Sequence, residues 1–392
     1  MVRFLTILAA LVFAGGCGLL DDTPRVKIGI DIPLSGEYAE YGQRLLAGIQ
    51  LKCDEINERG GLDGVQLKLV IRDNESTPLG ASKTAAALGG DDEIPAIIGS
   101  YSSFNTFCMR PEAEEYKIPV ITPTGTADVL TERNPYIYRT CFTDSVQGKA
   151  LAMYAYHRTG LRRIAILVDA EESGTQSRNI GFAVKKAFTE CGGAVPVHEG
   201  YYSYDFSFRR QIELMVKAGV DGICLPFTSA TAAARFIQEA RQSGFSGTIF
   251  GSDGWDEAEI YQNCGSDPGK TFYFGMFAAD YQRPDVQAFV EKIRQRTGRI
   301  AATCEAQGYD TLGIVTEAIH LGGNNREGAI KGLGKIKNYV GVGGSITILP
   351  DHNADKYIFV KEIVSGHGSA NSSRLTAIIS PYNVRKIYDV SN

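Results

Sequence analysis

From Arg25 onward the chain alternates short apolar, β-branched runs with longer stretches in which apolar positions recur every three to four residues. The first pattern suits strands buried on both faces, and the second lays one side of a helix on a core. Strands are predicted at 26–30, 66–71, 94–98 and 119–121, with helices at 40–59, 78–88 and 105–116 between them. In the first helix Leu45, Ile49, Cys53 and Ile56 share a side, and Gly60-Gly61 supplies a C-cap. Pro78 stands in the first turn of the second, where a missing N–H costs nothing.

The rhythm restarts after a strand at 136–140. Helices at 145–157, 178–191, 206–218 and 230–242 alternate with strands at 163–168, 195–201, 222–225 and 248–250. A third stretch adds a strand at 271–277 and helices at 286–296 and 306–321. A hairpin of 345–348 and 356–364 is predicted around Asp351-His352-Asn353-Ala354-Asp355. Alternation of this length specifies parallel sheets covered by helices on both faces. Two such series predict an α/β protein of two Rossmann-like lobes.

The N-terminus reads as an address. Arg3 carries positive charge, and residues 4–13 form an apolar run, shorter than the ~20 residues that span a bilayer. Ala14, Gly15 and Gly16 follow, completing the pattern of a signal peptide over residues 1–16. Cys17 directly after them resembles the lipobox of bacterial lipoproteins, with Ala14 where that pattern usually has leucine. The resemblance implies that Cys17 is acylated. The roughly 370 residues that follow exceed the usual reach of one core, so two domains are expected.

Composition changes this picture little. Apolar content of 44%, charged content of 22% and a net charge of −5 are ordinary for a globular chain. No basic patch argues for nucleic acid. Besides Cys17 there are Cys53, Cys108, Cys141, Cys191, Cys224, Cys264 and Cys304. None forms a C-x-x-C pair, and an odd set leaves at least one thiol unpaired within the chain. Most are expected to be small buried apolar groups.

Ligands of open α/β sheets bind beyond the carboxyl ends of the strands. The residues there sort by lobe. Gly99-Ser100-Tyr101-Ser102-Ser103 and Thr122-Pro123-Thr124-Gly125-Thr126 offer hydroxyls and helix-start N–H groups, a rim that favours a carboxylate. The second series offers Asp169-Ala170-Glu171-Glu172-Ser173, Pro226-Phe227-Thr228-Ser229 and Gly251-Ser252-Asp253-Gly254-Trp255. Asp253 can pair with an ammonium, so an anion site faces a cation site, which suits a zwitterion. Each residue also has a plainer reading: Ser103 as a helix cap before a binding group, Asp253 as the cap of a helix near Asp256.

Seven segments in order resemble the branched-chain amino-acid-binding proteins of ABC transporters, periplasmic binding proteins of fold type I, over about residues 26–364. They are Ile28-Gly29-Ile30 with Pro33-Leu34-Ser35-Gly36 and Tyr41-Gly42; Ile56-Asn57 with Gly60-Gly61-Leu62-Asp63-Gly64; Ile97-Ile98-Gly99-Ser100; Ile118-Pro119-Val120-Ile121-Thr122-Pro123; Tyr138-Arg139-Thr140; Asp205-Phe206-Ser207; and Gly251-Ser252-Asp253-Gly254-Trp255. The resemblance implies two lobes joined by a three-strand hinge: 26–144 plus 277–347, and 145–276 plus 348–392. They would close on a ligand as a hinged clamp.

Carried over by position, Ser103 and Thr126 would hold an α-carboxylate, and the Thr124 carbonyl with the Asp253 carboxylate an α-ammonium. Tyr101 and Ser102 would line the same turn, and Tyr41 would stand beside the ligand side chain. The family often has tyrosine at the positions of Ser173 and Thr228 and an aromatic residue near Cys304. Small residues here imply a wider, more polar pocket. A disulfide of close relatives falls at Ser76 and Ser102, both serine in this chain.

Other motifs dissolve on inspection. Gly265-Ser266-Asp267-Pro268-Gly269-Lys270-Thr271 is one residue short of a P-loop and precedes a strand. Asp351, Asn353, Asp355 and Glu362 have calcium-loop spacing, but Lys356 replaces the required glycine. No metal spacing and no nucleophile elbow is found, so no cofactor, metal or catalytic set is expected. The expected function is capture of a free neutral amino acid by a monomer that hands it to an ABC permease and touches the membrane only through its lipid. A ligand-binding sensor module, a binder of an amide or other small polar solute, and an enzyme on a doubly wound sheet are the competing classes.

Overall fold

The computed structural model describes residues 25–171, 174–257, 259–366, 372–380 and the backbone of 387–389. The expected signal peptide, Cys17 and Ser173 lie outside the described residues.

Ile28, Ile30 and Ile32 are wholly buried on one face and Gly29 and Asp31 are buried on the other, so the first strand is covered on both faces. This strand, β1 (Arg25–Ile32), is followed by α1 (Ala39–Glu58), β2 (Gln66–Asp73), α2 (Pro78–Gly89), β3 (Ile97–Ile98), α3 (Ser103–Cys108), α4 (Arg110–Glu115), β4 (Val120–Thr122) and β5 (Ile137–Arg139). Its sheet has the order β2-β1-β3-β4-β5 and is parallel throughout. α1 buries Leu45, Ile49 and Cys53 and ends before Gly60 and Gly61, both at positive φ. The Thr77 hydroxyl caps α2 by accepting the Gly80 N–H at 2.9 Å.

The second sheet begins after α5 (Asp144–His157). It takes β6 (Arg163–Asp169), α6 (Thr175–Glu190), β7 (Ala194–Tyr201), α7 (Arg209–Lys217), β8 (Gly222–Leu225), α8 (Ala230–Gln242), β9 (Thr248–Gly251), α9 (Glu259–Asn263) and β10 (Thr271–Gly275). The chain then returns to the first unit through α10 (Pro284–Thr297), α11 (Thr303–Gly322) and α12 (Arg326–Leu333). α11 lies along α1, and the helices approach closely because Gly48 and Gly308 lack side chains. A Cβ on either would stand about 2 Å from a carbonyl oxygen of the other helix.

A three-stranded sheet of β11 (Tyr339–Gly341), β12 (Gly344–Ile348) and β13 (Ala354–Lys356) precedes the last crossing. β14 (Ile358–Val364), β15 (Ser372–Ile379) and β16 (Ile387–Asp389) complete the second sheet, in the order β16-β15-β14-β10-β9-β8-β6-β7. β6 to β10 run parallel, and the last three strands pair antiparallel. The chain thus crosses three times: from β5 of the first sheet into α5, from β10 of the second into α10, and from β13 of the small sheet into β14 of the second.

Three local expectations change. The helix expected at 105–116 is two short helices, because Pro111 has no N–H to donate and its ring crowds the carbonyl one turn earlier. The expected 356–364 strand divides at Tyr357: residues up to Lys356 pair with β12, and those from Ile358 join the other sheet. The tail beyond Ser365, unassigned from sequence, supplies β15 and β16.

Candidate functional site

Both large sheets reverse strand order, at β1/β3 and at β6/β8, and such reversals open crevices beyond the strand ends. On the first sheet the turn after β3 is anchored from beneath. Asn74 donates from Nδ2 to Asp31 Oδ1 at 2.7 Å and to Ser100 Oγ at 2.8 Å. The Thr84 hydroxyl donates to the other Asp31 oxygen. Burial pushes the Asp31 carboxyl up to about 6, against the pull of these three neighbours.

The helix cap expected of Ser103 belongs to Ser102, whose hydroxyl accepts the Asn105 N–H at 3.1 Å. Ser103 begins the helix, and its hydroxyl accepts the Ala127 N–H at 3.2 Å, tying the β3 turn to the β4 turn. The Thr124 hydroxyl donates to the Tyr101 carbonyl at 2.6 Å. The Tyr101 ring stacks on Tyr41 of α1, with centroids 5.0 Å apart and planes 9° from parallel. Ser76 and Ser102 hold separate bonds: the Ser76 hydroxyl donates to the Ser35 carbonyl at 2.7 Å. Cys53, Cys108, Cys141, Cys191, Cys224, Cys264 and Cys304 are all free thiols.

Arg139, at the end of β5, is fully buried. Its two Nη atoms donate to the Gly125 and Ala127 carbonyls, each at 2.8 Å. The guanidinium fork therefore holds the segment that carries Thr126.

The second sheet supplies Asp253. Rather than capping a helix, it opens a short 3₁₀ turn, Asp253–Trp255, ahead of α9. Its carboxylate keeps a part-open face, while protein on the other sides pushes it up to about 6; the Gln147 carboxamide counteracts this and Asp256 adds to it. Gln176 of α6 reaches across: its Nε2 donates to Thr126 Oγ1 at 3.1 Å and to Asp253 Oδ1 at 3.4 Å. Thr228 is exposed beside this turn, its Cα 2.7 Å from where a Cβ on Gly254 would stand.

Cys304 opens α11 and is buried, which drives its thiol far above the usual range. Burial also raises the Tyr101 phenol, with Cys304, Tyr41, Glu257 and Asp253 acting on it. Groups from α1, from α11 and from the Asp253 turn therefore act on one ring. Arg44 of α1 donates to Glu305 Oε1 at 3.0 Å and to Glu257 Oε2 at 3.3 Å, joining α1 and α11 to the Asp253 turn. Burial lifts the Glu257 carboxyl to about 7, with Arg44 pulling it down. The Thr303 hydroxyl donates to Asp256 Oδ2 at 2.5 Å, a second link between the same segments.

These contacts bring Tyr41, Tyr101, Ser103, Thr124, Thr126 and Asp253 into one connected network, with Ser102 capping its helix, Cys304 acting on the Tyr101 ring and Thr228 beside the Asp253 turn. Sequence reasoning missed Gln176, Arg139, Asp144 and Gln147. Gln176 lies just past the stretch read as the rim of β6. Asp144 and Gln147, three apart, fall on one helix face, a spacing visible in sequence but silent about what that face meets.

Two sheets of this topology joined by three crossings are the architecture of two-lobed solute-binding proteins. The chain belongs to the periplasmic binding protein family, whose profile matches residues 25–368. It is a binding protein rather than an enzyme, and the family works outside the cytoplasm. A leucine-, isoleucine-, valine-, threonine- and alanine-binding protein of Pseudomonas aeruginosa is 26% identical over 325 residues, covering 82% of this chain and 85% of that one. The crystal structure of a leucine-binding protein from Thermotoga maritima superposes with a TM-score of 0.77 at 28% identity, covering 91% and 99% of the two chains. A solute-binding protein of an ABC transporter from Rhodopseudomonas palustris, in complex with 3,4-dihydroxybenzoic acid, shares the fold at 20% identity and a TM-score of 0.75, covering 91% and 98%.

Proposed function

We propose that this protein captures a free neutral amino acid between its lobes and delivers it to an ABC permease. The observation that carries this reading is the opposition of Thr126 and Asp253 across the Gln176 carboxamide. The Ser103–Thr126 rim, held by Arg139, offers hydroxyl and backbone donors to a carboxylate. Asp253 and the Thr124 carbonyl offer acceptors to an ammonium. The lobes are 26–144 plus 277–347 and 145–276 plus 348–392, closing over the zwitterion. Tyr41 and Tyr101 form an aromatic wall for the side chain, and Thr228 and Cys304 leave that end wide. Small polar as well as branched side chains fit such a pocket.

A carboxylate aimed at the ligand disfavours aromatic acids, which bring no cation to pair with it. Export through the 1–16 segment and acylation at Cys17 would keep the receptor at the membrane, next to its permease. Titration calorimetry against the twenty amino acids, their amides and benzoate tests the reading. One-to-one binding of an amino acid with benzoate silent is the expected result. Tight benzoate binding with no amino acid bound defeats it.

A further inference from the structure

At the start of α5 four buried polar atoms hold no hydrogen bond. Asp144 is 1% exposed and Gln147 is fully buried. Neither Asp144 oxygen, and neither the Nε2 nor the Oε1 of Gln147, meets a partner with good hydrogen-bond geometry among the described residues, although Thr126 stands near enough to Asp144, and Gln147 to Asp253, to favour the ionised acids. Leaving such groups unpaired is costly, and native proteins rarely do it without a reason. Their place supplies one. The Asp144 N–H donates to the Thr126 carbonyl at 3.0 Å, so the acid stands directly behind the rim. The Gln147 carboxamide stands beside Asp253 and favours its ionised form.

The titratable groups facing Asp144 come from several elements: Asp128 ahead of β5, Arg139 at its end, Cys141 after it, and Asp253 from the turn after β9. Arg139 is the cation among these, and both of its Nη atoms are committed to Gly125 and Ala127. Lys356 lies beyond Cys141 and donates to the Gly343 carbonyl at 2.9 Å.

We propose that Asp144 and Gln147 belong to the ligand site, with Asp144 a second acid for the ammonium, and that the Asp144–Asp253 pair releases a proton when the ligand binds. This rests on the amino-acid reading above. An ammonium has three donors, and the Thr124 carbonyl, Asp253 and Asp144 make three acceptors. Two carboxyls in one poorly solvated region do not both ionise readily while the site is empty. In line with this, burial pushes Asp144 up to about 7, against the pull of the Thr126 side chain and with a smaller push from the like charge of Asp253. An arriving cation favours both ionised forms, and the displaced proton passes to the buffer.

The test is calorimetry of the full chain at pH 6.5 in two buffers of different ionisation heat, with L-alanine, L-threonine and L-leucine as probes. The dependence of the heat on buffer counts protons. We expect release of about 0.3–1 proton per ligand at pH 6.5, falling towards zero by pH 8.5 as both carboxyls ionise beforehand. Asp144→Asn should remove at least half of that release and weaken binding roughly tenfold. An amino acid that binds with no proton exchange at pH 6.5, or an Asp144→Asn protein that releases as many protons as the wild type, overturns the proposal while leaving amino-acid capture standing. If none of the three binds and none of the other seventeen amino acids does, capture itself fails and this proposal with it. The wild-type proton count decides the matter if Asp144→Asn does not fold.

Discussion

Thr126 and Asp253, from different sheets, meet at one nitrogen, the Nε2 of Gln176, at 3.1 and 3.4 Å. A hydroxyl and a carboxylate held by a common donor are close enough to bind opposite ends of a small dipolar molecule.

Asp253 has the largest predicted effect on binding. Asp253→Ala takes from a desolvated ammonium one of its two ionic partners, a change that costs about 2–5 kcal/mol. Calorimetry with the best amino-acid ligand should show Kd rising at least thirtyfold, on the order of the lower figure, with thermal stability little altered. An unchanged Kd would remove Asp253 from the ammonium site.

Arg139 acts at one remove. Its two nitrogens hold the Gly125 and Ala127 carbonyls on either side of Thr126. Lysine cannot span both, so Arg139→Lys should lose at least one buried, charge-assisted bond, worth about 1.5–3 kcal/mol. Both ligand affinity and Tm should fall. A variant with native Tm and native affinity would show that the fork does not position the rim.

Arg44 tests the link between α1, α11 and the Asp253 turn. Its side chain is 15% exposed and that of Glu305 is 1% exposed. Arg44→Met strands the Glu305 charge, and breaking a buried pair from one side costs about 3–5 kcal/mol. Adding Glu305→Gln should restore much of the loss, because no buried charge is then left alone. Urea unfolding of the three variants measures this, and a double variant no better than Arg44→Met would contradict it.

Asp31 makes the pH dependence of the empty protein predictable. Its folded-state value of about 6 lies above its ordinary 3.8. The folded form therefore holds this proton more tightly than the unfolded chain does. The stabilisation is complete below about pH 4 and is lost as pH rises through 6, an effect on the order of 3 kcal/mol. Asp31→Asn keeps the shape but not the charge, so the fall in stability between pH 4 and 7 should become shallower. Denaturant midpoints across that range would show it, and curves with the same slope as wild type would exclude it.

Much of the architecture was legible in the chain. The strand and helix periods of α1, β1, β6 and α8 are strong because each element buries a continuous face, and a local pattern records that burial directly. The split at Pro111 could also have been read, since a proline after one turn of helix acts locally. The partition of 354–364 between two sheets could not, because both halves carry the same strand pattern and only the partner strands differ.

The candidate site divides the same way. Hydroxyls after strands of one series and an acid after a strand of the other follow from order along the chain. Strand ends are where open sheets bind ligands, so Ser103, Thr126 and Asp253 stood out before any coordinates did. The tertiary structure alone decided that Gln176 spans them, that Arg139 props the rim and that Asp144 and Gln147 are buried without partners. Those facts depend on which helix faces meet across the gap between the sheets. Such distances are set by packing between segments far apart in sequence, and no local pattern encodes them.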